Sequence, residues 1–325
     1  MASLDTFNTA LPSGLSTNRE EIVLDAMLHG AMQAPYKTSL PKIGSQNKNP
    51  RVGMDDYAAP DDSGHIEGEK TNDGGDQFTG VGDYIGQAQR WVQKGSITDE
   101  QEAHNNAFGA DLEGTKTKLL KQLLRNVEHT LVGDQDKVTD VKGVTAGVTE
   151  GLGHITDPTN TNFAAAYRTK TDSVFTGALS TLDDEALDAL IASIYREGGE
   201  YENLTLLAWP LLRSAIVKNT TRTAGTASKV DYNVDGVGTI PYNVEMIDTA
   251  YGKMNMINSN PSTGTEGFGL GYIYDPKYLH LHTIWGERAT TYENDGDGTP
   301  VACDFYASQT CQGANRLGKI LPVSA

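Results

Sequence analysis

The 325-residue chain predicts an α+β protein with one long helix and mostly antiparallel strands. Three observations carry that expectation. Leu112, Leu119, Leu120, Leu123, Leu124, Val127 and Leu131 recur at spacings of three, four and seven, which marks an amphipathic helix. Asp235-Gly236 separates two strand-like runs, 229–234 and 237–245, as a tight hairpin turn does. The last third alternates strand and turn through 269–274, 278–285 and 301–312.

Residues 1–45 are poor in regular structure. Ile22, Val23, Ala26 and Met27 suggest one short helix over 18–29, and Pro35, Pro41 and Gly44 break it, which makes this an extended arm. The stretch 46–97 is polar and turn-rich, with Asp55, Asp56, Asp61, Asp62, Glu67, Glu69, Asp73 and Asp76 set against a single Lys70. It cannot build a core, and its strand-like ends, 51–57 and 89–97, predict a long two-stranded excursion. Thr98 and Gln101 are spaced as a capping box. A helix over 107–132 would be about 39 Å long at 1.5 Å per residue, with Gly133 as its stop. Gly109 and Gly114 weaken its first turns by about 1 kcal/mol each.

A glycine- and threonine-rich passage, 138–180, follows. Thr181 is then placed to cap a second helix with Leu187, Leu190, Ile191 and Ile194 inward and Gly198-Gly199 as terminator. Residues 204–208 read as a buried strand, and Pro210 opens a short helix to Asn219. Pro241 confines the second hairpin strand to a sheet edge.

Composition removes several function classes. Twenty-six basic against 43 acidic residues give a net charge of −17. That opposes a protein that wraps DNA through its phosphates, because such affinity comes from Lys and Arg displacing counterions. The first 14 residues lack the basic and apolar regions of a secretory signal. The longest apolar stretch, 204–212, is interrupted by Thr205 and Pro210 and is too short to span a membrane, so a soluble protein is expected. Cys303 and Cys311, eight apart on one strand face, would stand about 26 Å apart; they cannot pair, which suits a reducing compartment.

Candidate chemistry is sparse. Asp231, Asn233, Asp235 and Gly236 match the start of a calcium loop, but Tyr242 stands where the closing glutamate belongs, and a hairpin is the better reading. The run 294–298 fails similarly, with Pro300 at the glycine position and Tyr306 at the glutamate position. His280 and His282 alternate on a strand with Glu287 close behind, a conceivable two-histidine-one-carboxylate site and the centre of a rival reading as a metal-dependent enzyme. Gly80, Gly82 and Gly86 resemble a phosphate loop only loosely. Lys118, Gln122, Arg125 and His129 share a face of the long helix, read as solvated. No phosphate loop with Gly-Lys-Ser/Thr, no His-Glu-x-x-His and no Gly-x-Ser-x-Gly occurs. The expectation is therefore no catalytic residue, no cofactor and no metal.

With the order of elements in place, the sequence resembles the major capsid proteins of tailed bacteriophages with the Hong Kong 97 fold, in the group with an N-terminal Thr-Asn-Arg-Glu motif. Here that motif is Thr17-Asn18-Arg19-Glu20, followed by Pro35 to Ile43 where the family has Pro-Phe-Leu-x-x-Ile. Further matches are Asp56 to Pro60, Gly82 to Tyr84, Leu131-Val132-Gly133, Gly151-Leu152-Gly153 and the helix Leu182 to Tyr195 with Glu197-Gly198-Gly199. Leu204 to Asn219, the hairpin Asp231 to Val244 and the strand entry Tyr274 to Tyr278 complete the set. The chain departs from the family in its enlarged acidic loop and in Trp209-Pro210 where Gly-Pro is usual.

The resemblance implies an N-terminal arm (1–45), an extended loop (46–96), a peripheral domain with the spine helix (97–135), an axial domain (136–284) and C-terminal strands returning to the peripheral domain (285–325). It implies a subunit that self-assembles into pentamers and hexamers of an icosahedral head, with arm and loop lying over adjacent copies. Its partners would be itself, a portal and scaffold or decoration proteins, around double-stranded DNA held without sequence-specific binding and without a membrane. The shell would form in the host cytoplasm and persist in the virion. Thr17, Asn18, Arg19, Glu20, Asp55, Asp56, Asp61, Asp62, Tyr84 and Trp91 are the expected inter-subunit contacts. A nanocompartment shell of the same fold, enclosing protein cargo, is the nearer alternative.

Overall fold

The computed structural model describes residues 34–55, 67, 82–99, 112–199, 203–219, 231–232, 240–241, 246–258, 271–293, 296 and 298–321. The expected arm helix at 18–29, Gln101 of the expected capping box and the tip of the acidic excursion lie outside them. In chain order the strands are β1 (Lys42–Gly44), β2 (Arg51–Met54), β3 (Gly82–Ile85), β4 (Gln89–Ile97), β5 (Val174–Phe175), β6 (Thr205–Ala208) and β7 (Asp231–Tyr232). They continue with β8 (Ile240–Pro241), β9 (Met246–Thr249), β10 (Gly252–Asn258), β11 (Gly271–Tyr274), β12 (Leu279–Thr291), β13 (Thr299–Cys311) and β14 (Gly318–Ile320).

The long helix, Leu112–Val132, follows from the leucine spacing, and its 21 residues span about 32 Å at 1.5 Å per residue. Leu123, Val127 and Leu131 are fully buried on one stripe. What covers them is a four-stranded sheet in the order β1-β12-β13-β4. Side chains alternate along β13, so Val301, Cys303, Phe305 and Ala307 enter the core beside that helix, while Ala302, Asp304 and Tyr306 face away. β4 is antiparallel to β13, from Thr299↔Ile97 to Ala307↔Gln89. This differs from the expected excursion, in which 51–57 would pair with 89–97. β2 pairs instead with β3, from Arg51↔Ile85 to Met54↔Gly82. The reason is burial: Trp91 and Ile97 are apolar side chains that only a core-facing strand can cover, and joining β13 covers them.

A six-stranded sheet, β5-β14-β11-β6-β10-β9, forms the second layer. It is mixed, with β6 parallel to β10 and antiparallel to β11. The sheet is a shared wall, because successive residues of one strand point to opposite faces. Tyr272 and Tyr274 of β11 enter the core of the long helix, whereas Ile273 enters a second core with Leu187, Leu190, Ile191 and Ile194. These last four lie on the helix Asp184–Arg196, whose cap is Asp183, accepting from the Ala186 amide at 2.9 Å; the expected cap, Thr181, sits in the preceding 3-10 turn. The helix ends where Gly198 adopts φ +81, a conformation glycine reaches without a Cβ clash. Pro210 opens the helix Pro210–Asn219 as expected, and β7 pairs with β8 in the expected antiparallel sense.

One close approach fixes how the long helix ends. The Gly133 carbonyl accepts from the Gly153 amide at 2.9 Å, and a Cβ on Gly151 would stand 2.0 Å from that same oxygen. Only glycine permits this approach. Cys303 and Cys311 are both buried free thiols on β13, and burial raises both thiol pKa values above the usual range.

Candidate inter-subunit contact site

The root of the arm is clasped to the long helix. Pro35 opens the short helix Pro35–Ser39, and the next two backbone amides, of Tyr36 and Lys37, donate to the Glu128 carboxylate at 2.9 and 3.0 Å. Glu128 is 1% exposed, and desolvation raises its pKa to about 7 against the lowering effect of those two amides and of Lys37. The Tyr36 hydroxyl accepts from Gln309 Nε2 at 2.8 Å, and its ring meets Tyr274 edge-on at 5.3 Å. Ser39 Oγ lies 2.7 Å from the Tyr274 hydroxyl. The buried Lys37 ammonium sits 4.6 Å over the Phe305 ring and pairs with Glu287; burial, then Lys42, lowers its pKa to about 8.

Of the sequence-derived contact residues, Asp55 is exposed at the end of β2. Thr17, Asn18, Arg19, Glu20, Asp56, Asp61 and Asp62 lie outside the described residues. Tyr84 and Trp91 correct the expectation, because both are interior. Tyr84 is fully buried, stacks on Phe163 at 4.6 Å and donates its hydroxyl to Glu150 Oε2 at 2.6 Å. Trp91 is 6% exposed, stacks on Phe305 at 5.7 Å and donates Nε1 to Thr130 Oγ1 at 3.1 Å. An aromatic side chain in a polar excursion looks like a contact in sequence; here its hydrophobic area is spent inside the subunit.

Glu150 is fully buried, and its other oxygen takes His154 Nδ1 at 2.7 Å, Asn160 Nδ2 at 2.6 Å and Asn162 Nδ2 at 3.1 Å. Among the described residues, Asp136, Glu150 and His154 are the group whose candidate ligand atoms fall within 4.8 Å of one another. The donors already satisfy the buried carboxylate, so a hydrogen-bonded network accounts for it.

The histidine site expected as a rival does not assemble. His280 and His282 share a face, with ring centroids 6.5 Å apart, but the Glu287 carboxylate is engaged with Lys37 beside Phe305, on the core side of the sheet. Bulges at Trp285 and before Arg288 shift the register there. Burial lowers both histidine pKa values.

On the outer face of the same sheet, Asp304 accepts from Arg90 Nη2 at 2.7 Å and from Arg288 Nε and Nη2 at 2.6 and 3.0 Å. Those bonds hold the Asp304 carboxyl below its ordinary pKa, the Arg288 bond foremost. Both guanidinium groups lie close to Trp285, at 5.4 and 4.4 Å from its ring.

Sequence reasoning missed Glu128, Glu150 and Asp304. Glu128 had a signal, since it falls between Leu124 and Leu131 on the apolar stripe, where a charge must find a partner. For Glu150 no spacing rule connects it to Tyr84 or Asn160.

This fold is that of viral capsid subunits. A solved structure from Mycobacterium phage Bobi superposes with a TM-score of 0.61 at 9% identity, covering 99% of this chain and 99% of that one. The capsid of a native GTA particle gives 0.58 at 9%, with 90% of each chain covered, and the capsid of the cyanophage P-SCSP1u gives 0.53 at 12%, covering 88% and 86%. No curated protein sequence matches. The sequence model of the SU10 major capsid protein family matches residues 5–300, and the chain belongs to that family. It is a phage head shell protein with the Hong Kong 97-type fold, and its place is the virion. That membership implies a structural role.

Proposed function

We propose that this subunit self-assembles into pentamers and hexamers of an icosahedral head around double-stranded DNA, without catalysis. The observation that carries this reading is the family match across residues 5–300. The charge of −17 suits an enclosure that does not adhere to packaged DNA. The arm (1–45) and the extended loop (46–96) lie over adjacent copies, through Thr17, Asn18, Arg19, Glu20, Asp55, Asp56, Asp61 and Asp62. Residues 97–135 and 285–325 make the peripheral domain, and 136–284 the axial domain. A portal and scaffold or decoration proteins complete the head, which forms in the host cytoplasm. Sedimentation and negative-stain imaging of the purified protein test the reading: closed particles of uniform curvature support it, and a single monomeric species under all conditions contradicts it.

A further inference from the structure

The outer face of the four-stranded sheet holds a positive groove in a strongly negative chain. Its volume is about 280 Å³, and Arg90, Lys94, Arg288, Tyr292 and Asp304 line it. Three cations meet one carboxylate there, so two positive charges remain in excess. The guanidinium groups are half-exposed yet held in place by their shared bonds to Asp304 and by contact with the Trp285 ring. Each guanidinium carries five N–H donors, and Asp304 takes one from Arg90 and two from Arg288. A preordered pair of this kind suits carboxylates, because the fork geometry matches and little side-chain freedom is lost on contact.

We propose that this groove receives the acidic segment 55–76 of a neighbouring copy. That segment carries eight carboxylates against one lysine, which makes it the charge complement of the groove. In its own subunit the root of that segment, at Asp55, lies away from the groove. β2 and β3 run from Pro50 and Gly86, beside Ser308 and Thr310, to Met54 and Gly82, beside Tyr167. Asp55 then lies with Gln312 and Gly313, past the end of β13. Gln312 is eight residues beyond Asp304, about 26 Å at 3.3 Å per residue, so the root at Asp55 stands well apart from the groove of its own subunit. The inference rests on the proposed self-assembly and names the receiving side chains within it.

The test is carbodiimide cross-linking of particles co-assembled from ¹⁴N- and ¹⁵N-labelled full-length protein, read by mass spectrometry. The expected product joins the Lys94 amine to an acid within 55–76 in mixed-isotope pairs, and it disappears with Lys94→Arg. Lys94→Glu shells should release subunits at least tenfold faster at low salt, with the difference collapsing in 1 M salt. Same-isotope pairs alone, or particles lacking this cross-link, overturn the inference while leaving self-assembly intact. Absence of particles would overturn self-assembly and the inference together.

Discussion

Glu128 and Lys37 are joined twice over: the Glu128 carboxylate accepts the Lys37 backbone amide at 3.0 Å, and its charge also acts on the buried Lys37 ammonium. This relationship ties the root of the arm to the helix that organises the main core, 91 positions away in sequence. Two of its consequences can be measured, and two further tests address Tyr84 and the arm.

Glu128→Ala removes the acceptor for two buried amides, and each unpaired amide costs about 1–3 kcal/mol. Urea unfolding of the unassembled subunit should show a loss of about 2–5 kcal/mol. Glu128→Gln keeps one acceptor oxygen and should fall well short of that. Equal losses in the two variants would contradict this, because Gln keeps the side-chain shape and one of the two acceptor oxygens.

The same carboxylate sets a pH dependence. Its pKa rises from 4.5 in the unfolded chain to about 7 in the folded one. The folded state therefore binds the proton more tightly, so the contribution is fully present below pH 4.5 and is lost as pH climbs through 7. Lys37, lowered from 10.5 to about 8, acts outside this window, its contribution falling as pH drops from 10.5 to 8. Wild type should lose on the order of 3 kcal/mol relative to Glu128→Gln between pH 4.5 and 7. A constant difference across that range contradicts the account.

Tyr84→Phe leaves Glu150 Oε2 without the hydroxyl donor it receives at 2.6 Å, while the ring stack on Phe163 is kept. The expected loss is about 1–3 kcal/mol, because a buried carboxylate oxygen is left unsatisfied. Because Tyr84 is interior, shells of this variant should keep wild-type geometry by electron microscopy and differ only in thermal midpoint.

Deleting residues 1–16 should leave the subunit folded yet weaken assembly, because the sequence of the arm is poor in regular structure and its proposed place is over an adjacent copy. Circular dichroism of the subunit and urea sensitivity of the shells separate these effects. Unchanged shell stability would contradict the role given to the arm.

The long helix, both later helices and the β7–β8 pairing were legible because local periodicity and turn chemistry determine them. Leu123, Val127 and Leu131 announce their own burial. What sequence could not show depended on contacts between distant segments. β4 belongs with β13 because Trp91 needs Phe305, more than 200 positions later, and no local rule states that preference. Glu287 looked like a ligand beside His280 and His282 until Lys37, from the arm root, claimed it. Asp304 gave no sign in sequence, because its role is to hold Arg90 and Arg288 across three strands.

Cryo-electron microscopy of particles formed by the purified full-length protein tests the central claim most directly. A closed shell is predicted, with fivefold and sixfold capsomers, the long helix Leu112–Val132 in every subunit and residues 1–45 extending over an adjacent copy. A protein that stays a monodisperse monomer under every assembly condition would contradict it.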